Sequence, residues 1–159
     1  MSAREGLWSS RVAERGGPLE RDLFLYLLDL EVKRARRYQN FFCMLVLKLA
    51  ELPRSGDGRN PQGCLRTLAR LLREELRETD LLGVFSDDVL VALLPYGDDA
   101  SGEQARSRFE DNLRFIDFSG QGFEVRIERV CFPLDGTDTV DLIERVAAPD
   151  PFPLEGREP

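Results

Sequence analysis

Apolar positions recur at helical spacing over residues 19–38, where Leu23, Phe24, Leu27, Leu28, Leu30 and Val32 predict an amphipathic helix. That segment closes on KRARRY, and cations in a last turn suit the negative end of the helix dipole. Residues 41–49, FFCMLVLKL, are almost continuously apolar and too short for a helix in this setting. They predict a central strand buried on both faces. A polar loop with Pro53, Gly56, Gly58 and Pro61 follows. Leu65, Leu68, Leu71, Leu72 and Leu76 then form the face of a second helix ending near Thr79. The run LLGVFSDDVLVALLP reads as two strands around a tight polar turn. Ser101 is a candidate cap for a third helix, whose stripe takes in Ala105, Phe109, Leu113 and Phe115. FEVRIERVCF alternates as a half-buried strand, and TVDLIERVAA closes the pattern as a short helix.

The predicted order is α-β-α-β-β-α-β-α, which fits an α/β or α+β sandwich with helices on a central sheet. Residues 1–18 are polar, with Gly16, Gly17 and Pro18, and read as a flexible lead or a docking segment around Trp8. Residues 19–148 form the domain, and the Pro- and acid-rich residues 149–159 form a loose tail.

The chain has 159 residues, enough for one domain with a substantial core. Its formal net charge of -7 argues against a general nucleic-acid or anionic-membrane binder. There is no histidine, which removes Ser-His and Cys-His nucleophile schemes and most zinc sites. No cofactor is implied. Cys43, Cys64 and Cys131 are widely spaced and odd in number, and read as reduced, buried thiols. No apolar run is long enough to span a bilayer, and the N-terminus lacks a signal-peptide core. The compartment expected on these grounds is the cytoplasm.

Three stretches, in this order, resemble the GGDEF domain of the diguanylate cyclase family. RARRY precedes the first buried strand. LRTLARLLREELRETDLLGVFSDDVLVALLP is similar, without a gap, to the family run that carries R-x-x-D, five residues and then the signature. FPLDGTDTVDLIERV is similar to the final turn and helix. The resemblance covers roughly residues 19–148 and implies a central, mainly antiparallel sheet of about five strands flanked by helices.

The signature itself is replaced. Ser86, Asp87, Asp88, Val89 and Leu90 stand where the family has Gly-Gly-Asp-Glu-Phe. The family's fourth signature residue is an acid that holds metal, and Val89 offers no oxygen ligand. Lys48 stands where a metal-holding Asp is expected at the end of the first strand, and Ala50 fills the next acidic position. An ammonium repels a divalent cation. The resemblance therefore implies no metal site and no cyclase activity. Asp57 is the only candidate for a remnant of the guanine-binding loop that the resemblance implies. Asp87 and Asp88 also read simply as favoured turn residues.

The R-x-x-D of the family binds the product, cyclic di-GMP, and Arg77 and Asp80 stand at that spacing. An Arg fork can donate to guanine O6 and N7 or to phosphate, and a carboxylate can accept from the guanine N1 and N2 protons. The alternative is an intrahelical Arg-Asp pair worth a few tenths of a kcal/mol. A second arginine often completes the family's site, with Arg106 and Arg108 as the candidates here. Two functions follow. One is an inactive GGDEF-like receptor for cyclic di-GMP that signals to an unidentified protein partner. The other is a nucleotide-independent interaction module, with a homodimer possible under either.

Overall fold

The computed structural model describes residues 17–53 and 59–149. Asp57, most of the N-terminal lead and nearly all of the tail lie outside the described residues. In chain order the elements are α1 (Arg21–Tyr38), β1 (Phe42–Glu51), α2 (Pro61–Glu75), β2 (Leu81–Ser86), β3 (Val89–Pro95), α3 (Asp99–Leu113), a 3-10 turn (Ser119–Gln121), β4 (Phe123–Phe132) and α4 (Thr139–Ala147).

The sheet order is β2-β3-β1-β4, with every neighbouring pair antiparallel. Four strands are present among the described residues, one fewer than the sheet of about five implied by the resemblance. The β1-α2-β2-β3-α3-β4 core is a split βαβ arrangement. It places α2 and α3 on one face, with α1 and α4 on the other.

β1 is central, as its unbroken apolar run requires. Phe42, Met44 and Val46 enter the core beneath α1 and α4, while Leu45, Leu47 and Leu49 enter the core beneath α2 and α3. From Phe42 to Leu47 no side chain is exposed. α1 contributes Phe24, Leu28, Val32 and Ala35 at its spacing of three and four. Truncating one of the larger of these to Ala costs about 2–5 kcal/mol, because the cavity collapses only in part.

Helix ends follow local chemistry. The Asn60 side chain accepts from the Gly63 N–H, with Pro61 in the first turn, where a missing N–H costs nothing. Asp138 accepts from the Asp141 N–H at the start of α4. α3 is capped by Asp98, whose carboxylate accepts from the Ser101 N–H at 2.7 Å. Ser101 was the expected cap, and a carboxylate three residues earlier takes that role instead. Phe115 falls beyond α3 and is 89% exposed, so it is not part of the helix stripe.

The cysteines require a further correction. Cys43 and Cys131 are directly opposed in the β1–β4 register and form a disulfide, leaving Cys64 as the free, buried thiol. Residues 88 positions apart gave no sequence cue to that register. No helix among the described residues is long and apolar enough to cross a membrane.

Candidate functional site

Two places descend from the sequence. The first is the end of β1 beside the β2–β3 turn. Lys48 pairs with Val89 on one side and Arg126 on the other, and Ala50 pairs with Glu124. The Lys48 ammonium lies 3.2 Å from Glu128 Oε1 and donates to the Ala148 carbonyl at 2.9 Å. Ala148 caps the C-terminus of α4, so the cation meets the negative end of that helix. At the turn, Ser86 Oγ donates to Asp88 Oδ1 at 2.8 Å, while Asp87 and Asp88 are exposed. Val89 and Leu90 point into the two cores. No group of three or more potential metal ligands occurs among the described residues. At the two positions where the GGDEF resemblance implies oxygen ligands, the structure holds an ammonium and an isopropyl group, which do not fit a magnesium ion.

The second place follows α2. That helix stops at Glu75, so RETD forms a turn and not the helix end expected from the sequence. Asp80 is 9% exposed. Its Oδ2 accepts from the Arg77 backbone N–H at 2.8 Å, and its own N–H donates to the Arg77 carbonyl at 3.0 Å. The carboxylate thus closes the turn. The Arg77 guanidinium is exposed, with no hydrogen-bond or ion-pair partner among the described residues. The intrahelical Arg77–Asp80 ion pair, the alternative reading of the motif, does not occur among the described residues.

Arg77 and Asp80 line a cavity of about 170 Å³ with the β3 end and α3. Arg108 lines the same cavity, and its guanidinium, 55% exposed, lies 3.2 Å from Glu75 and 5.9 Å from the Phe109 ring centroid. An exposed pair of this kind is weak and easily exchanged. Arg106 lies elsewhere. It is held by Glu103 and Glu110 beside Arg129 and Arg145. The hydrogen bond to Glu103 raises the Arg106 pKa further above its ordinary range and lowers that of Glu103. The fold therefore brings Arg77, Asp80 and Arg108 together and leaves Arg106 out.

Sequence reasoning missed Tyr96, Ser101 and Gln104, which line this cavity too. Tyr96 has φ 60°, in the left-handed region that bulky residues rarely adopt. Its phenol accepts from Arg34 Nη1 at 2.8 Å, and the Arg34 guanidinium lies 4.6 Å from the ring centroid. The only cue in the chain is the Pro-Tyr-Gly that ends β3, which marks a turn without marking a site.

No protein-family model matches the chain, and no curated protein matches it by sequence. Solved structures do match. A DGC protein from Thermotoga maritima is 21% identical with a TM-score of 0.68, over 82% of this chain and 93% of that one. The FimX GGDEF domain from Pseudomonas aeruginosa is 20% identical with a TM-score of 0.69, over 83% and 86%. The GGDEF domain of DgcB from Caulobacter crescentus, solved in complex with c-di-GMP, is 11% identical with a TM-score of 0.62, over 82% and 79%. At these identities the likeness is one of architecture, and it agrees with the topology traced above: this chain has the fold of a GGDEF domain.

Proposed function

We propose that the chain is a catalytically inactive GGDEF-like domain that binds cyclic di-GMP at Arg77, Asp80 and Arg108 and passes the signal to a protein partner or a second copy of itself. One observation carries the reading. The three side chains suited to a guanine edge and a phosphate converge on one cavity, while the metal-ligand positions hold Lys48 and Val89. That the GGDEF domain of DgcB was solved in complex with c-di-GMP supports binding of this ligand by a fold of this kind. Cyclisation of GTP needs a metal to neutralise triphosphate charge, and the Lys48 ammonium opposes one. A cytoplasmic location belongs to the same proposal. The bonded Cys43–Cys131 pair is the feature that runs against a reducing compartment.

A second reading rests on Asp80, whose carboxylate already has a structural task on the Arg77 N–H. Under it RETD is a turn, and the domain is an interaction module that takes no nucleotide. Calorimetric titration separates the two. The receptor reading expects heat from cyclic di-GMP and none from GTP with magnesium. A flat cyclic di-GMP titration at tens of micromolar ligand would leave the interaction module.

A further inference from the structure

A planar base is recognised on its edges by hydrogen bonds and on its faces by stacking. Arg77, Asp80 and Arg108 supply edge and phosphate chemistry, and none of them offers an aromatic face. Two aromatic residues line the same cavity, Tyr96 and Phe109. Phe109 is 2% exposed and already committed to the core beneath α2 and α3. Tyr96 is 63% exposed.

Three features hold the Tyr96 ring in place in spite of that exposure. Its backbone sits at φ 60°, which crowds a side chain bearing a Cβ, although glycine, the residue suited to that conformation, is its next neighbour in the chain. Arg34 reaches from α1 to cover the ring and donates to the phenolic oxygen. Arg34 is in turn fixed by Glu31, which accepts from Nε at 3.1 Å and from Nη2. Tyr96 lines the cavity and Arg34 does not. Backbone crowding kept at a bulky residue, and supported by a chain of side chains, marks a position with a task.

We infer that Tyr96 is the stacking platform of this site, taking one purine of a guanine-containing ligand on the ring face that Arg34 leaves open. The inference rests on the receptor reading above and adds to it the residue that grips the base by its face. The guanidinium on the far side and the base on the near side make a three-layer stack, with the ring as its middle member.

The test is calorimetric titration of cyclic di-GMP into the full chain and into Tyr96→Phe, Tyr96→Leu and Tyr96→Gly. Tyr96→Phe keeps the ring and binds close to wild type. Tyr96→Leu and Tyr96→Gly weaken binding by about five- to 150-fold, the usual worth of one stacked base. Tyr96→Gly relieves the left-handed backbone and unfolds within a few degrees of wild type, so its binding loss is not a folding loss. Tyrosine emission quenched by ligand in wild type is quenched less in Tyr96→Phe. Wild-type binding left unchanged by Tyr96→Leu overturns the inference and leaves the receptor reading standing. Absence of wild-type binding overturns both.

Discussion

Lys48 and Val89 are direct cross-strand partners in the β1–β3 ladder. Residues so placed share one face of the sheet, with Cβ atoms about 5 Å apart. On the proposed reading, the two departures from the GGDEF metal-ligand pattern are therefore one local replacement, with an ammonium beside an apolar wall where the resemblance implies two carboxylates. Glu128 and the end of α4 then hold that ammonium. The protein is expected to form no cyclic di-GMP from GTP with magnesium or manganese. Nucleotide chromatography checks this, and turnover above the no-enzyme control that disappears in Asp88→Ala would overturn it.

Arg77 and Asp80 should respond differently to truncation. The exposed Arg77 guanidinium has no hydrogen-bond or ion-pair partner among the described residues, so Arg77→Ala keeps its unfolding midpoint, within about 0.5 kcal/mol. Its affinity for cyclic di-GMP falls by about ten- to 150-fold, from the roughly 1.5–3 kcal/mol of a hydrogen bond to a charged group. Asp80→Ala loses the turn bond to the Arg77 N–H and costs about 1–2 kcal/mol of stability, comparable to a lost cap. Urea midpoints beside binding titrations separate the two behaviours.

Gly83 is required by a close approach. A Cβ built there would lie 2.3 Å from Cγ of Phe24, which is 1% exposed on the buried face of α1. Gly83→Ala is expected to destabilise by about 1–3 kcal/mol through overpacking. Pairing it with Phe24→Leu should recover part of that loss in denaturant melts. Simple addition of the two costs would count against the clash.

Acid should loosen the start of α3. The Asp98 carboxyl is lowered below its ordinary 3.8 by the bond from the Ser101 backbone N–H. A folded pKa below the unfolded one contributes stability that is complete above 3.8 and is lost as pH falls through the lower folded value. Asp98→Asn keeps a good cap without the charge change. It should match wild type near neutral pH and show a flatter loss of urea midpoint on acidification. An unchanged acid slope would refute the assignment.

Thiol counting tests the strand register. Under denaturing conditions without reductant one thiol, Cys64, should react, and with reductant all three cysteines should react. Breaking the Cys43–Cys131 bond should cost about 2–4 kcal/mol by freeing the unfolded chain. Three reactive thiols in carefully unoxidised protein would restore the reduced reading of the sequence.

Much of this architecture is legible because it is periodic. The spacing of Phe24, Leu28 and Val32 places α1, and the apolar run from Phe42 to Leu47 places a strand buried on both faces. What sequence could not supply depends on contacts between distant segments. The Cys43–Cys131 pairing needs the β1–β4 register, and the choice of Arg108 over Arg106 needs the rotation of α3 about its axis. Two local competitions were also misread. Asp98 outcompetes Ser101 for the α3 cap, and the Asp80 carboxylate bends RETD into a turn where helical periodicity had run on to Thr79. Tyr96 carried no signal, since an unusual φ is invisible in a residue name.

Leu19, just ahead of α1, is joined to β2 in parallel at Gly83, donating to the Leu82 carbonyl and accepting from the Val84 N–H. Arg21 adds a third bond, from Nε to the Phe85 carbonyl at 2.8 Å. A pull transmitted along the chain from Gly17 would thus enter the sheet in shear, stretching these bonds together instead of peeling them one at a time. The strand that takes up the tension begins at Leu81, immediately after Asp80. Residues 19–21 thus tie the start of α1 to the strand that follows the RETD turn.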